Sequence, residues 1–408
     1  MKIVVIALYF IRLMWVVPLR GVACVWPRSK CHVVIGAWMG NLYIDNPKYL
    51  CEHLLKHTAL KVTWIGNEGM RSSLPISDRL RFARKGSLRA FFALLRAKTW
   101  ICCQAWNIDL TTLPIKGRAT IIDTWHGIPV KFVGANTADS QGAVRRSWLK
   151  KFLTRVQYEE DEWLLISSEK MARILTTGVP SRYSMQRLMR FGTPRNDFLI
   201  KNSGNKELID FLKKKYATML GIDPTKKLIL YLPTWRKRGD CVFAFYNQPE
   251  SIQHEWRKML ENHNAVLVEK HHYGTYAKYP MTKPSACSVV VSAEQQRDID
   301  VQELMLVADL MISDYSGAYI DYALMKRPVV HFAYDLVEYM TQDSGLAYDL
   351  ATVAAGPIVR NIEELKSVVD ERLRSPRFEP ASGFADLVAY EQGNSCEQII
   401  DFILKRRG

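Results

Sequence analysis

The sequence has no C-x-x-C pair, no internal repeat and no low-complexity tract. Its eight cysteines are scattered through 408 residues, which excludes a disulfide framework and a cysteine-ligated zinc site. Cys102 and Cys103 sit in an apolar stretch as small core residues, and a reducing cytoplasm is the simplest setting. Acidic residues are scarce, 41 against 56 Lys and Arg, leaving a formal charge of +15. A surplus of that size suits nucleic acid, anionic lipid or a polyanionic substrate, although a basic surface kept for solubility is the plainer account. RGG tracts, zinc-finger spacings and the RRM aromatic pattern are absent, so the chain is not expected to bind nucleic acid.

A chain of this length and apolar content is expected to form two domains with sizeable cores. The apolar run at residues 3–19 is broken by Arg12 and closed by Pro18 and Arg20. No good small-residue cleavage site follows it. The run is short for a spanning helix and carries a charge at its middle. This predicts an interfacial helix within a membrane-associating segment, residues 1–30. Arg12 and Arg20 would reach the headgroups, with Trp15 and Tyr9 at the boundary. A single-span anchor is the alternative.

From residue 32 onward, strand-like and helix-like stretches alternate. Strands are predicted at residues 32–36, 60–65, 119–123, 227–231, 265–269, 288–292, 308–313 and 328–332. Helices are predicted at 46–55, 206–220, 253–262, 301–307 and 316–325. Residues 80–97 read as one basic amphipathic helix, with Leu80, Leu88, Phe92 and Leu95 set against Arg81, Arg84, Lys85, Arg89 and Arg96. It would be either a core helix with a solvated cationic face or a membrane-facing surface. The pattern lapses near residues 191–197, and a fresh α/β series begins at residue 227. The expected fold is α/β, with two doubly wound domains facing each other across a cleft. The divisions are 31–200, 201–375 and a helical tail, 376–408.

Polar groups cluster where the predicted strands end, the place where open α/β sheets bind ligands. Thr124–Trp125–His126–Gly127 puts an imidazole at one such end, able to take a proton from an alcohol at neutral pH. Pro233–Thr234–Trp235–Arg236 puts a guanidinium at another, suited to phosphate oxygens. Lys270, His271 and His272 close a third. No carboxylate cluster accompanies them, so cationic contact with phosphate is preferred to metal ligation, and no metal is expected. Ser313–Asp314–Tyr315–Ser316–Gly317 runs into a helix whose first amides offer donors to a leaving phosphate. One lone histidine reads equally well as structural. Four phosphate-compatible strand ends together suggest group transfer from a phosphorylated donor.

Several motifs carry a resemblance in order over roughly residues 32–370. They are Asp45–Asn46–Pro47–Lys48–Tyr49–Leu50, Trp125–His126–Gly127–Ile128–Pro129–Val130–Lys131, Gly192–Thr193–Pro194–Arg195–Asn196–Asp197 and Leu232–Pro233–Thr234–Trp235–Arg236. Lys270–His271–His272 follows, then Ser313–Asp314–Tyr315–Ser316 leading to Asp321, and Arg327–Pro328–Val329–Val330 leading to Tyr334–Asp335, Glu338–Tyr339 and Gly356–Pro357. In these the chain resembles the CDP-glycerol glycerophosphotransferase family, the teichoic-acid primases and polymerases with related capsule polymerases.

The resemblance implies a GT-B-like fold of two Rossmann-like domains, the second holding most of the nucleotide. It implies a CDP-activated polyol phosphate as donor, glycerol before ribitol, with no separate cofactor. It also implies a lipid-linked or glycan acceptor and peripheral attachment to the anionic cytoplasmic face of the membrane. Carried over by position, His126 matches the base and His272 the histidine that contacts the donor pyrophosphate. Arg236, Thr234, Lys270, Ser313, Asp314, Ser316, Gly317 and Asp321 fall on the donor side. Two positions depart from the family pattern: Gly317 stands where a serine is usual, and Tyr273 where a proline is common. A GT-B glycosyltransferase and a non-catalytic basic membrane protein that gathers anionic polymer are the rival readings.

Overall fold

The computed structural model describes residues 17–136, 162–236, 242–272, 285, 287–343 and 345–406. Thirteen strands among these form two sheets. The first contains β1 (Ser29–Ile35), β2 (Lys61–Gly66), β3 (Leu80–Arg84), β4 (Ala97–Cys102), β5 (Thr120–Asp123), β6 (Trp163–Leu165) and β7 (Leu188–Met189). The second contains β8 (Lys227–Leu232), β9 (Ala265–Glu269), β10 (Ser288–Val290), β11 (Leu310–Ser313), β12 (Val329–Phe332) and β13 (Ile358–Val359). The helices that bear on the site are α1 (Asp45–His57), α2 (Leu88–Arg96), α3 (Pro194–Asn202), α4 (Lys206–Leu220), α5 (Val301–Val307), α6 (Ala318–Ala323) and α7 (Ser395–Lys405).

Every strand pairing is parallel. Parallel sheets covered on both faces need near-continuous apolar strands, and Leu228–Leu232 and Val33–Ile35 are buried throughout. The strand orders are β3-β2-β1-β4-β5-β6-β7 and β10-β9-β8-β11-β12-β13. Each order reverses beside its first strand, between β1 and β4 and between β8 and β11. Those reversals are the topological switch points where open α/β sheets leave a crevice for ligands.

Three segments tie the halves together. Ile128 and Val130, from the stretch after β5, are buried in the same core as Leu228, Leu230 and Met311 of the second sheet. The C-terminal α7 returns to the first sheet, where Cys396, Ile399, Ile400 and Ile403 pack with Val33, Val62 and Trp64. Residues 17–25 are helical, and Ala23 is buried with Trp100 and Trp106. Arg28 then donates to the carbonyls of Leu94, Ala97, Ile115 and Lys116, fixing the entry to β1.

The single helix predicted at residues 80–97 is two elements. Residues 80–84 form β3, registered against β2 from Val62–Leu80 to Gly66–Arg84. Gly86 then takes φ +79°, and Ser87 caps α2 by accepting the Ala90 N–H at 3.2 Å. Arg81 and Arg84 on an edge strand stand three apart, the spacing of one helical face, and the turn at Gly86 breaks the helical period. Helix α2 does keep an amphipathic face, with Leu94 and Leu95 buried and Leu88 and Phe92 exposed. The lapse expected near residues 191–197 contains the start of α3, with Pro194 in its first turn.

Most of the N-terminal apolar run lies outside the described residues. Among the described residues, no helix is long and apolar enough to cross a membrane.

Candidate active site

His126 leaves the carboxyl end of β5 on a strained backbone. Trp125 has φ +54°, and its ring stacks on the imidazole with centroids 4.6 Å apart. His126 Nδ1 lies 3.1 Å from the Cys103 carbonyl. A carbonyl only accepts, so Nδ1 carries the proton and Nε2 of the neutral ring carries the lone pair. The Asn46 amide donates to the Thr124 and Trp125 carbonyls, each at 3.0 Å, holding this turn to α1.

A buried guanidinium locks the turn from below. Arg195, on α3, reaches Asp45 at 2.9 Å, the His126 carbonyl at 3.1 Å and Asp321 at 2.5 Å. Burial opposes charge on Arg195, but Asp321 and Asp45 outweigh it and raise its pKa. Asp321, expected on the donor side, is therefore engaged in joining α6 to the first half. Two further bonds cross between the halves on Asp300, from Lys48 at 2.5 Å and the Tyr49 hydroxyl at 2.8 Å.

Beyond His126 the chain crosses to the second sheet. Val130 accepts the Ala347 N–H at 2.9 Å, and Lys131 bridges Leu346. Gly317 lies against this crossing: a Cβ built there would stand 2.4 Å from the Ile128 carbonyl oxygen. The close approach explains glycine where a serine is usual. Gly317→Ser is accordingly expected to push residues 125–131 off the second sheet, at a cost of about 1–3 kcal/mol. Thermal melts and turnover of the variant check it, and unchanged values for both would contradict the tight contact.

Of the three residues that follow β9, two turn inward. His271 is buried with Nε2 3.2 Å from Glu269, which also accepts the Phe245 and Tyr246 N–H groups, each at 3.0 Å. Lys270 donates to Gln296 at 2.7 Å, and burial pushes its pKa down to about 8. His272 faces the first sheet, with its ring centroid 6.4 Å from those of Trp38 and Trp235. Its ring keeps an exposed side while protein crowds the rest. That desolvation, reinforced by Lys270, Lys131 and His126, lowers its pKa well below the ordinary imidazole value.

Arg236 is placed differently from the expectation of a phosphate-facing cation. Its guanidinium donates to Asp314 at 2.8 Å, to both Asp335 oxygens at 2.5 and 2.8 Å, and to the Thr234 carbonyl at 2.7 Å. It is 3% exposed. Thr234 donates twice to Asp314, at 2.8 and 2.7 Å, and Ser313 to the Leu232 carbonyl at 2.9 Å. These four residues brace the ends of β8 and β11. A strand-end cation looks available in the sequence because Asp335 stands 99 positions away. Ser316 and Gly317 keep partial exposure above this scaffold, at the start of α6.

Three residues outside the predicted set join the site. Trp38 lies near both histidines, its ring centroid 5.9 Å from that of His126 and 6.4 Å from that of His272. Lys131, at the end of the crossing segment, has its pKa lowered by burial, with Asp343 and Asp314 opposing the shift. Arg195 belongs to a quoted motif but had no assigned role. Among the described residues, Cys102, Asp123 and Glu162 also converge closely enough for a metal ion. Arg182 already supplies the positive charge there, at 2.6 Å from Asp123 and 2.9 Å from Glu162.

Glu391 adds a titratable brace below the site, accepting the Thr193 N–H at 3.2 Å and its hydroxyl at 3.0 Å. Burial, with Asp321 nearby, pushes its carboxyl up to about 8. The folded state therefore holds a proton that the unfolded chain has released, so this group's contribution to stability declines from pH ~4.5 up to about 8. Glu391→Gln is expected to remove that decline and to melt above the wild type at pH 9. Melting curves across pH check it, and parallel profiles would contradict it.

Two doubly wound parallel sheets, each presenting an imidazole where its strands end, define a GT-B-like fold. The chain belongs to the CDP-glycerol:poly(glycerophosphate) glycerophosphotransferase family, whose model matches residues 23–405. It is 28% identical over 391 residues to the teichoic acid poly(glycerol phosphate) polymerase of Bacillus subtilis, covering 93% of this chain and 49% of that protein. The chain thus spans about half of that relative. It is 26% identical to the teichoic acid glycerol-phosphate transferase of Staphylococcus aureus, covering 92% of this chain and 94% of that one. Among solved structures, the wall teichoic acid polymerase TagF matches with a TM-score of 0.73 at 22% identity, over 97% of this chain and 95% of that one. The UDP-GlcNAc 2-epimerase of Methanocaldococcus jannaschii shares the architecture at a TM-score of 0.51 and 11% identity, over 92% of this chain and 99% of that one.

Proposed function

We propose that this enzyme transfers glycerol phosphate from CDP-glycerol to a hydroxyl of a teichoic-acid-like or capsular acceptor, releasing CMP. The observation that carries the reading is the approach of His126 and His272, from different sheets, to the same indole ring, that of Trp38. His126 Nε2 takes the proton of the acceptor hydroxyl as its oxygen attacks the glycerol-bearing β-phosphorus. The bond from that phosphorus to the bridging oxygen breaks, and CMP departs with the electron pair. His272 and the amides at Ser316 and Gly317 face the charge that grows on the leaving phosphate, while Lys270 stays turned inward onto Gln296. Arg236, Thr234, Ser313 and Asp314 hold the loops that present them. Catalysis of this kind is positioning and charge stabilisation, with no covalent enzyme intermediate. Incubation with CDP-glycerol, CDP-ribitol and UDP-sugars, each with a glycerol-phosphate oligomer, tests the donor class. CMP release from a CDP-polyol supports the reading, and sugar transfer from a UDP-sugar would replace it with the glycosyltransferase.

The protein's place in the cell is proposed as peripheral, on the cytoplasmic face of the membrane beside a lipid-linked acceptor. Leu88 and Phe92 are exposed on α2, Trp26 lies 6.3 Å from Phe92, and Val22 and Val25 are exposed on the preceding helix. Arg89 and Arg96 on α2 and Arg84 beside it add positive charge, worth about 1 kcal/mol each near an anionic surface and fading with salt. Removing residues 1–16 is expected to weaken flotation with anionic vesicles, and the residual binding to vanish at high salt. Full flotation of the truncated protein at high salt would contradict this, and resistance of the full chain to alkaline carbonate would favour a spanning segment.

A further inference from the structure

The backbone after β1 leaves the first sheet at its switch point and adopts three left-handed residues in succession. Trp38, Met39 and Gly40 have φ of +47°, +60° and +86°. Glycine takes that conformation freely, whereas tryptophan and methionine take it only when their surroundings impose it. The surroundings here do so. The Met39 N–H donates to Asp109 at 2.9 Å, and the other Asp109 oxygen accepts the Cys103 and Gln104 N–H groups, each at 2.9 Å. The Gly40 carbonyl accepts the Asn67 N–H at 2.6 Å, and the Met39 carbonyl accepts the Lys85 ammonium at 3.0 Å.

This constrained turn aims the Trp38 ring. The indole N–H donates to Asp45 Oδ2 at 3.1 Å, while the other oxygen of Asp45 is occupied by the Asn46 N–H and Arg195. With its one polar atom directed at Asp45, the ring turns apolar surface toward the two imidazoles. Its edge-on contact with His126 leaves the rings at 67° to each other. Trp38 also differs from Trp64, Trp100, Trp106 and Trp256, which are among the largest fully buried side chains, because it keeps partial exposure. A tryptophan needed only to fill a core would not be carried on strained backbone to a half-open position between two sheets.

An indole face cannot neutralise phosphate, but it matches the C–H face of a short polyol and displaces water. We propose that Trp38 is a specificity-determining residue for transfer: its ring is the surface on which the acceptor's terminal polyol rests, so that a polyol hydroxyl rather than water reaches His126. The inference rests on the reading of His126 as the base. It adds a division of labour, in which His272 serves the donor, His126 the proton and Trp38 the choice of nucleophile.

The test compares wild type, Trp38→Ala, Trp38→Leu and Trp38→Phe. CMP release from CDP-glycerol is followed with and without a glycerol-phosphate oligomer, beside calorimetric donor affinity and melting temperature. Acceptor-dependent release is expected to fall on the order of 10²-fold in Trp38→Ala, the cost of a nucleophile displaced by about 1 Å. The acceptor KM should rise, and acceptor-independent release, in which water takes the place of the polyol, should rise relative to transfer, while donor affinity stays unchanged. Trp38→Phe should restore most of the transfer, and Trp38→Leu should behave like Trp38→Ala. If both kinds of release fall together with melting temperature, Trp38 is a packing residue and the inference is overturned. Wild-type transfer in Trp38→Ala would overturn it too, as would wild-type transfer in Trp38→Leu should Trp38→Ala not fold. A wild type that releases no CMP from CDP-glycerol under either condition would overturn the underlying function instead, which separates the two failures.

Discussion

His126→Ala is expected to cut transfer by roughly 10²–10⁴-fold, the usual contribution of a positioned general base, and to leave donor affinity near wild type. On the proposed mechanism the two effects separate, because the imidazole would act on the acceptor hydroxyl while the second sheet would hold the nucleotide. The structural cost of the change is small: one hydrogen bond to the Cys103 carbonyl is lost, worth about 1 kcal/mol, and the turn remains held by Asn46 and Arg195. Steady-state kinetics with calorimetry of donor binding check the prediction. Wild-type turnover in the variant would make His126 a structural residue.

Arg236→Ala is expected to act first on stability. Its side chain is buried between Asp314 and Asp335 and ringed by Tyr315, Tyr334 and Tyr339, with the guanidinium 5.8, 5.1 and 5.5 Å from their ring centres. Burial works against its charge, but Asp314 and the bond to Asp335 outweigh that and raise its pKa. Removing it leaves two carboxylates without their cation, at a cost of about 3–5 kcal/mol. Donor affinity should fall as the ends of β8 and β11 loosen, in step with the drop in melting temperature. His272→Ala provides the contrast, since it should weaken donor binding with the melting temperature held. Denaturant unfolding of both variants decides it, and an Arg236→Ala protein as stable as wild type would contradict the brace.

The strand ends were legible because each carries its signal locally. Apolar residues 228–232 and 265–268 lead into Thr234 and Lys270, and both strands appear where the pattern places them. The motifs carried the pairing of His126 with His272, which periodicity alone does not reveal. What stayed hidden depends on distant partners. Arg195 meets Asp45 across 150 positions, and Arg236 meets Asp335 across 99, so neither ion pair leaves a mark on its own stretch. Trp38 follows β1 without a polar neighbour to flag it, and its positive φ is imposed by Asp109 from the short helix at Trp106–Asp109. Strands β6 and β7 are three and two residues long, too short for a period to register. Residues 80–97 misled for the opposite reason, because a strand and a helix in sequence together imitated one helical face.

The central claim is transfer of phosphorus, with the bond broken at the β-phosphorus and not at carbon. The most direct measurement is the identity of the nucleotide released when the protein meets CDP-glycerol and a glycerol-phosphate oligomer, read by phosphorus NMR alongside the lengthened product. CMP should accumulate in step with new phosphodiester, and both signals should collapse in His126→Ala. Release of CDP, or lengthening without CMP, would contradict it.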